Sequence, residues 1–399
     1  MAFSFAPMPL SHPEEILHDL SPFILIHKNG TIERLVGKEV TPPSTDPTTG
    51  VHSKDVRISP ETGLSARIYL PGATTSQDQK LPVLIYFHGG GFLFGTAFST
   101  MFQPFLNRLA LEAQTIIVSV DYRRAPEHLY PAQYDDSWEA IKWVASHATR
   151  NGTEPWLNDY ADFERVFFGG ESAGANIAHH MGMRIGLGID LDTFGDRFKL
   201  VGLVLIDPHF GGETLIGGEV VADVKERNIL DKLWRVMNPS FSSLDDPLIN
   251  PAKDPNLSKL GGRRVLVSVA EKDLLRDRGW YYYEVLGKSG WNGQVDIIEA
   301  KGEGHVFHLY LPFRENALTL FKTLSSFING DKAHAYVTCV YIACVFHLKL
   351  QAHKYDANNT IPLASSSHGR NLFLPENRSE NRTEICLGVC SLRTREAKD

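Results

Sequence analysis

Cysteine is the scarcest chemistry in this 399-residue chain. Its four copies, Cys339, Cys344, Cys386 and Cys390, all lie past residue 330, so the body of the protein has no thiol. A disulfide framework or a cysteine-ligated zinc is thereby excluded from residues 1–330, and a reducing compartment fits. Positive charge is also short, with a net charge of −7 and no basic patch interleaved with aromatics. Nucleic acid is therefore not an expected partner. Long apolar runs are missing too. The longest, Ala335 to Phe346, has twelve residues against the roughly twenty that a membrane helix needs, so no stable membrane insertion is expected. The first residues, Met1-Ala2-Phe3-Ser4-Phe5-Ala6-Pro7, lack the basic and apolar regions of a secretory signal. The expected compartment is the cytoplasm, with the nucleus also open.

What is present is a large core-forming fraction, 43% hydrophobic, arranged with a clear rhythm. Continuous apolar runs at 83–87, 116–120, 166–168, 201–206 and 265–269 read as strands buried on both faces. Helix-period stretches at 98–112, 134–148 and 173–186 separate them. Such alternation implies right-handed crossovers and a mostly parallel α/β sheet of about eight strands flanked by helices. Residues 55–59 and 64–70 alternate polar with apolar, as expected of two antiparallel edge strands.

Three segments depart from the rhythm. Residues 13–29 carry a mixed pattern compatible with a short helix running into an extended piece, followed by the turn Asn29-Gly30. Residues 1–50 are therefore expected to form an N-terminal cap or lid, either a cover or a substrate-contacting element, on a catalytic domain spanning 51–330. Residues 208–260 hold Gly211-Gly212 and a helix-compatible stretch near 221–234. Ile229, Leu230, Leu233, Trp234, Val236 and Met237 there need something to pack on, so this insertion is expected to be a second cap element. After the helix stop at Asn329-Gly330, residues 331–399 read as an atypical C-terminal extension, expected to be disordered.

The chemistry centres on Gly170-Glu171-Ser172-Ala173-Gly174, between the 166–168 strand and a helix. A nucleophile on so tight a turn needs small residues two positions away on either side. A serine hydroxyl also needs a base, and the base needs an orienting carboxylate. Asp273 follows the 265–269 strand, and His305 follows Gly304 after a strand at 295–299. The order Ser172, Asp273, His305 is that of an α/β-hydrolase triad, with Glu271 and Asp277 as competing carboxylates and His308 as the competing imidazole. His88-Gly89-Gly90-Gly91-Phe92, after the 83–87 strand, offers bare N–H groups of Gly89, Gly90 and Gly91 for an oxyanion hole, completed by the N–H of Ala173. The run lacks the Lys-Ser or dinucleotide spacing of a phosphate cradle. Phe92 and His308 are the expected substrate-binding residues. No metal and no cofactor are called for.

These motifs, with Asp121-Tyr122-Arg123-Arg124-Ala125-Pro126-Glu127-His128, Tyr130-Pro131-Ala132, Asp273-Leu274-Leu275-Arg276-Asp277-Arg278-Gly279 and Gly304-His305-Val306-Phe307-His308, resemble the plant carboxylesterases of the hormone-sensitive-lipase branch of α/β-hydrolases. The resemblance covers about residues 10–330. It implies the α/β-hydrolase fold, Ser172 as nucleophile with Asp273 and His305, and hydrolysis of small-molecule carboxylic esters. A monomer or weak dimer is expected. It also implies that the segments at Asp121-Tyr122-Arg123 and Tyr134-Asp135-Asp136 are scaffolding. Two similar groups supply the alternative: gibberellin receptors, which lack the triad histidine, and legume hydroxyisoflavanone dehydratases, which carry threonine in place of the serine. One local departure is Asp207-Pro208-His209-Phe210-Gly211-Gly212, where relatives more often place histidine before the proline and Trp-Gly later. That stretch is expected to border the pocket.

Overall fold

The computed structural model describes residues 15–72, 80–190 and 194–330. The calls on the first fourteen residues and on the extension 331–399 lie outside the described residues. In chain order the strands are β1 (Ile16–Leu20), β2 (Ile24–His27), β3 (Ile32–Arg34), β4 (His52–Arg57), β5 (Ser65–Leu70), β6 (Leu81–Phe87), β7 (Ile116–Asp121), β8 (Ala161–Glu171), β9 (Leu200–Ile206), β10 (Arg264–Ala270) and β11 (Gln294–Ala300). The helices are α1 (Gln103–Ala113), α2 (Ala132–Ser146), α3 (Pro155–Tyr160), α4 (Ala173–Gly186), α5 (Val224–Met237), α6 (Arg276–Lys288), α7 (Phe307–Tyr310) and α8 (Glu315–Asn329).

Eight strands form one sheet in the order β11-β10-β9-β8-β6-β7-β5-β4. From β11 to β7 every pairing is parallel, while β4 and β5 add antiparallel strands at one edge. The apolar runs are continuous because the two sides of each strand enter different cores. Val83, Ile85 and Phe87 of β6 join the core under α2, α4 and α6, with Trp138, Ile177 and Tyr282. Leu84 and Tyr86 join the other, with Phe105 of α1 and Leu320, Phe321 and Leu324 of α8. A strand buried on both faces cannot alternate with polar residues.

The N-terminal residues depart from expectation. Instead of a short helix, β1, β2 and β3 form an antiparallel three-stranded sheet turning at Asn29-Gly30. Only Leu20, Ile24, Ile26 and His27 are buried there, a spacing that a short half-buried meander satisfies as well as a helix does. Phe23 stacks on Phe94 at 5.1 Å, and Arg34 donates to the Leu93 carbonyl at 2.7 Å and pairs with Glu127. This small sheet thus packs over the loop that follows β6.

The insertion after β9 holds α5, capped by the Asp223 carboxylate accepting the Lys225 N–H at 2.6 Å. Leu233, Trp234, Val236 and Met237 are buried, and the Trp234 ring meets Phe92 edge-on at 5.5 Å. An interior ion pair moors the insertion. Both Glu219 oxygens accept from Arg278 of α6 at 2.7 Å, and Arg278 also donates to the Thr214 carbonyl at 2.8 Å. Removing one partner of a buried pair leaves an uncompensated charge. Glu219→Ala is accordingly expected to lower unfolding stability by about 3 kcal/mol, measurable by urea denaturation.

Candidate active site

Five parallel strands end at the same edge of the sheet, and each hands its next residues to one cleft. In register, Phe87 lies beside Gly170, Glu171 beside Ile206, Ile206 beside Ser268, and Ala270 beside Ala300. The following loops therefore carry His88 to Phe92, Ser172, Asp207, Asp273 and His305 to neighbouring positions. Carboxyl ends of parallel strands are where open α/β sheets form their binding crevices.

Ser172 occupies the turn between β8 and α4 at φ 54° and ψ −120°, a region that side chains rarely adopt. Its N–H is held by the Ile206 carbonyl at 2.9 Å, and its carbonyl accepts from the His209 N–H at 3.0 Å. The flanking glycines are a steric requirement. A Cβ at Gly174 would lie 1.8 Å from the Phe87 carbonyl oxygen, and one at Gly170 would lie 2.3 Å from it.

His305 Nε2 is 3.0 Å from Ser172 Oγ, and its Nδ1 is 2.7 Å from Asp273 Oδ2. The carboxylate only accepts, so Nδ1 carries the proton and Nε2 is the acceptor for the serine hydroxyl. The other Asp273 oxygen accepts the Leu275 N–H at 3.0 Å, which fixes the carboxylate plane. Burial disfavours the imidazolium, but the Asp273 charge and hydrogen bond, aided by Asp207 and Glu171, outweigh it and push His305 up to about 9. The competing groups lie elsewhere. Glu271 accepts from Lys301 and from the Gly302 N–H, and Asp277 accepts the Gly218 N–H.

The glycine loop needs its glycines: Gly90 and Gly91 have φ of 110° and 56°, and a Cβ at Gly90 would lie 2.0 Å from the Phe94 carbonyl oxygen. Its donors are not all free, however. The Gly89 N–H is given to Glu171 Oε1 at 2.6 Å, which corrects its expected place in the oxyanion hole. Among the described residues, no protein acceptor is found for the N–H groups of Gly90, Gly91 or Ala173. Glu171 is a residue that sequence reasoning missed. Fully buried, it also accepts from the Tyr86 hydroxyl, and burial pushes its carboxyl up to about 7. The only sequence signal was a glutamate inside an otherwise small and apolar turn.

Neither residue expected to bind substrate faces the cavity. A cavity of about 320 Å³ lies between α5 and the 209–215 loop, walled by Phe210, Trp234, Ile249, Leu274 and Leu275, with Glu213, Arg227 and Asp231 among its charged groups. Ser172, Asp273 and His305 do not line it themselves; it reaches them through His209, whose N–H bonds the Ser172 carbonyl, and through Leu274, the residue after Asp273. Phe92 is fully buried behind that wall, against Trp234 and His209. His308 is fully buried on Phe105 at 4.6 Å, and burial drives its pKa down to about 3. Both are packing residues because their neighbours leave no open face. The departing stretch does reach the pocket, since His209, Phe210, Gly211 and Gly212 all line it.

The motif segments near residues 121 and 134 brace one another. Asp136 accepts from Arg123 at 2.7–3.1 Å and from its N–H at 2.8 Å, while the Tyr122 hydroxyl donates to the His88 carbonyl at 2.6 Å. Stacked on Tyr122 at 4.3 Å, His88 is held neutral by burial, which lowers it to about 3. Among the described residues, the one grouping with metal-like spacing is Asp207, Asp273 and His305. Both ring nitrogens of His305 already have partners, so the grouping reads as acid–base rather than metal-binding.

A family profile described as alpha/beta hydrolase fold matches residues 84–309, and one described as carboxylesterase family matches residues 37–127. The chain is 48% identical to "Probable carboxylesterase 13" of Arabidopsis thaliana, over 80% of this chain and 99% of the relative. It is 41% identical to "2-hydroxyisoflavanone dehydratase" of Glycyrrhiza echinata, over 79% and 97%. Among solved structures it is similar to a hyperthermophilic esterase from the archaeon Pyrobaculum calidifontis, with a TM-score of 0.57 and 26% identity, covering 70% of this chain and 85% of that one. It is also similar to a thermostable carboxylesterase from a metagenomic library, with a TM-score of 0.59 and 27% identity, covering 73% and 90%.

Proposed function

We propose, from the premise that this chain belongs to the plant carboxylesterases of the α/β-hydrolase superfamily, that it hydrolyses small-molecule esters through Ser172, His305 and Asp273. The observation that carries this is the relay of 3.0 Å and 2.7 Å from the serine hydroxyl through the imidazole to the carboxylate. His305 Nε2 takes the hydroxyl proton as Ser172 Oγ attacks the ester carbonyl. Asp273 accepts from Nδ1 and offsets the imidazolium charge. The N–H groups of Gly90, Gly91 and Ala173 receive the oxyanion. His305 then protonates the departing alcohol, and water, deprotonated by the same nitrogen, releases the acid. Among the described residues no helix is long and apolar enough to cross a membrane, and the substrate we assign is a small molecule entering the cavity beside Ser172.

The test is turnover of p-nitrophenyl acetate and butyrate by purified protein, with stoichiometric labelling of Ser172 by an organophosphate. Tight ligand binding without turnover would replace this reading with a receptor. The pH dependence has a defined sign. His305 acts as a base only when neutral, and its pKa is raised above the ordinary 6.5. The kcat/KM profile should therefore fall as pH drops, with its acidic limb centred above 6.5 and toward 9. A midpoint below 6.5 would contradict the ion pair with Asp273.

The named 2-hydroxyisoflavanone dehydratase relative supports a second reading, elimination of water from a hydroxylated specialised metabolite in the same pocket. Loss of water without ester turnover would favour it.

A further inference from the structure

Asp207, the first residue after β9, acts on His305 through its charge but makes no hydrogen bond to the relay above, yet its surroundings are built for a closer part. It is 1% exposed, with its N–H on the Ser268 carbonyl at 2.7 Å. Its φ of 44° is uncommon for a residue with a side chain. Such strain persists where neighbours over-determine it, and it concentrates at functional sites. Oδ2 accepts the N–H of Val306, the residue after His305, at 2.8 Å. Val306 itself sits at φ 46°, so this bond holds the His305 loop in its bent form. The backbone N–H of Ala270, the last residue of β10, also stabilises the carboxylate. Finally, one oxygen of Asp207, one of Asp273 and a ring nitrogen of His305 all lie within 4.8 Å of one another.

We propose that Asp207 is a positioning residue for His305: a second carboxylate that shapes the imidazole loop through Val306 and supplies counter-charge to the ring when Asp273 cannot. The proposal rests on the Ser172–His305–Asp273 reading. Burial and the adjacent Asp273 charge push the Asp207 carboxyl up to about 7, since two carboxylates so close resist ionising together. With Asp273 neutralised, that repulsion is gone and ionising Asp207 beside the ring costs less, although burial, the larger cause, remains. The other titratable groups nearby are His209 and His308, which burial lowers to about 4 and about 3 and keeps neutral, and Glu171, whose carboxyl burial raises to about 7 while Tyr86 and the Gly89 N–H hold it.

The test is a double-mutant cycle on p-nitrophenyl butyrate hydrolysis. A triad with one carboxylate loses about 10⁴-fold in kcat when that group becomes an amide. Here Asp273→Asn should lose only on the order of 10²-fold. Asp207→Asn, which keeps an acceptor for Val306, should lose less than about 10-fold when Asp273 is present. The double variant should drop to about 10⁴-fold below the wild type. A structural role alone predicts that Asp207→Asn has the same effect in both backgrounds, so equal effects would overturn the proposal. An Asp273→Asn variant already as inactive as the double variant would do so too. Wild-type activity in Asp273→Asn would instead remove Asp273 from the relay, and with it the premise. Proton NMR supplies a readout independent of turnover. The low-field Nδ1–H resonance of His305 should persist in Asp273→Asn and vanish in the double variant; its absence from Asp273→Asn would count against Asp207. Should the double variant not fold, Asp207→Ser, which returns a hydroxyl acceptor to Val306, takes its place.

Discussion

Ser172→Ala is expected to lower kcat for a short-chain p-nitrophenyl ester by about 10⁵- to 10⁶-fold, the scale on which serine hydrolases respond to loss of the nucleophile. Residual turnover would come from water attacking an ester held in the intact oxyanion hole. The reason for so large an effect is that the base, His305 Nε2, is placed 3.0 Å from the Ser172 hydroxyl and so activates that group. Ser172→Gly makes a sharper comparison. At φ 54° and ψ −120°, glycine carries no Cβ penalty, so this variant should be as inactive as alanine while gaining about 1 kcal/mol in stability. Thermal unfolding alongside the esterase assay checks both. Ester turnover surviving in either variant would move the chemistry away from Ser172, and an unchanged or lower melting temperature in Ser172→Gly would mean that the turn is not strained.

Gly174→Ala is expected to have the largest effect on stability, about 3 to 5 kcal/mol, with loss of esterase activity in whatever folds. The added Cβ would stand 1.8 Å from the Phe87 carbonyl oxygen and 2.8 Å from that of His88. Both are backbone atoms at the end of a central strand, and no rotamer change relieves such a contact. Separating α4 from β6 would also displace Ser172 from the glycine loop, so activity and stability should fall together. Gly304 supplies the control. Directly before His305, it has nothing within 4 Å of an added Cβ, and Gly304→Ala should lie within about 0.5 kcal/mol of wild type. Chemical denaturation of the two variants tests the contrast. A Gly174→Ala protein as stable as Gly304→Ala would refute the close packing of α4 on β6.

The doubly covered sheet was readable from sequence because each central strand is apolar on both faces, as Val83 to Phe87 illustrate. Residues 16–34 were not, since a meander with few buried positions and an amphipathic helix use the same sparse apolar spacing. Within the site, spacing placed Ser172, Asp273 and His305 after successive strands, and the structure brings them within hydrogen-bond distance. Gly89 fared differently. Its N–H goes to Glu171, a partner 82 positions away that reaches it only because β6 and β8 are adjacent. Phe92 and His308 carry chemistry suited to a pocket, but Trp234 and Phe105 close around them.

Read alone, the chain determines the kinds and order of the elements in the central sheet and its flanking helices, and the three groups able to relay a proton, because these depend on local periodicity and on which residues follow a strand. Tertiary structure decides which donors remain free for an oxyanion, which aromatic residues line the cavity and which are sealed behind it, and that Asp207 stands beside Asp273 and His305. Those outcomes depend on strand order and register, which bring loops far apart in sequence to a common edge. Hydrogen bonding is exclusive at each proton, so a donor's availability is known only when every neighbour of the folded chain is in place.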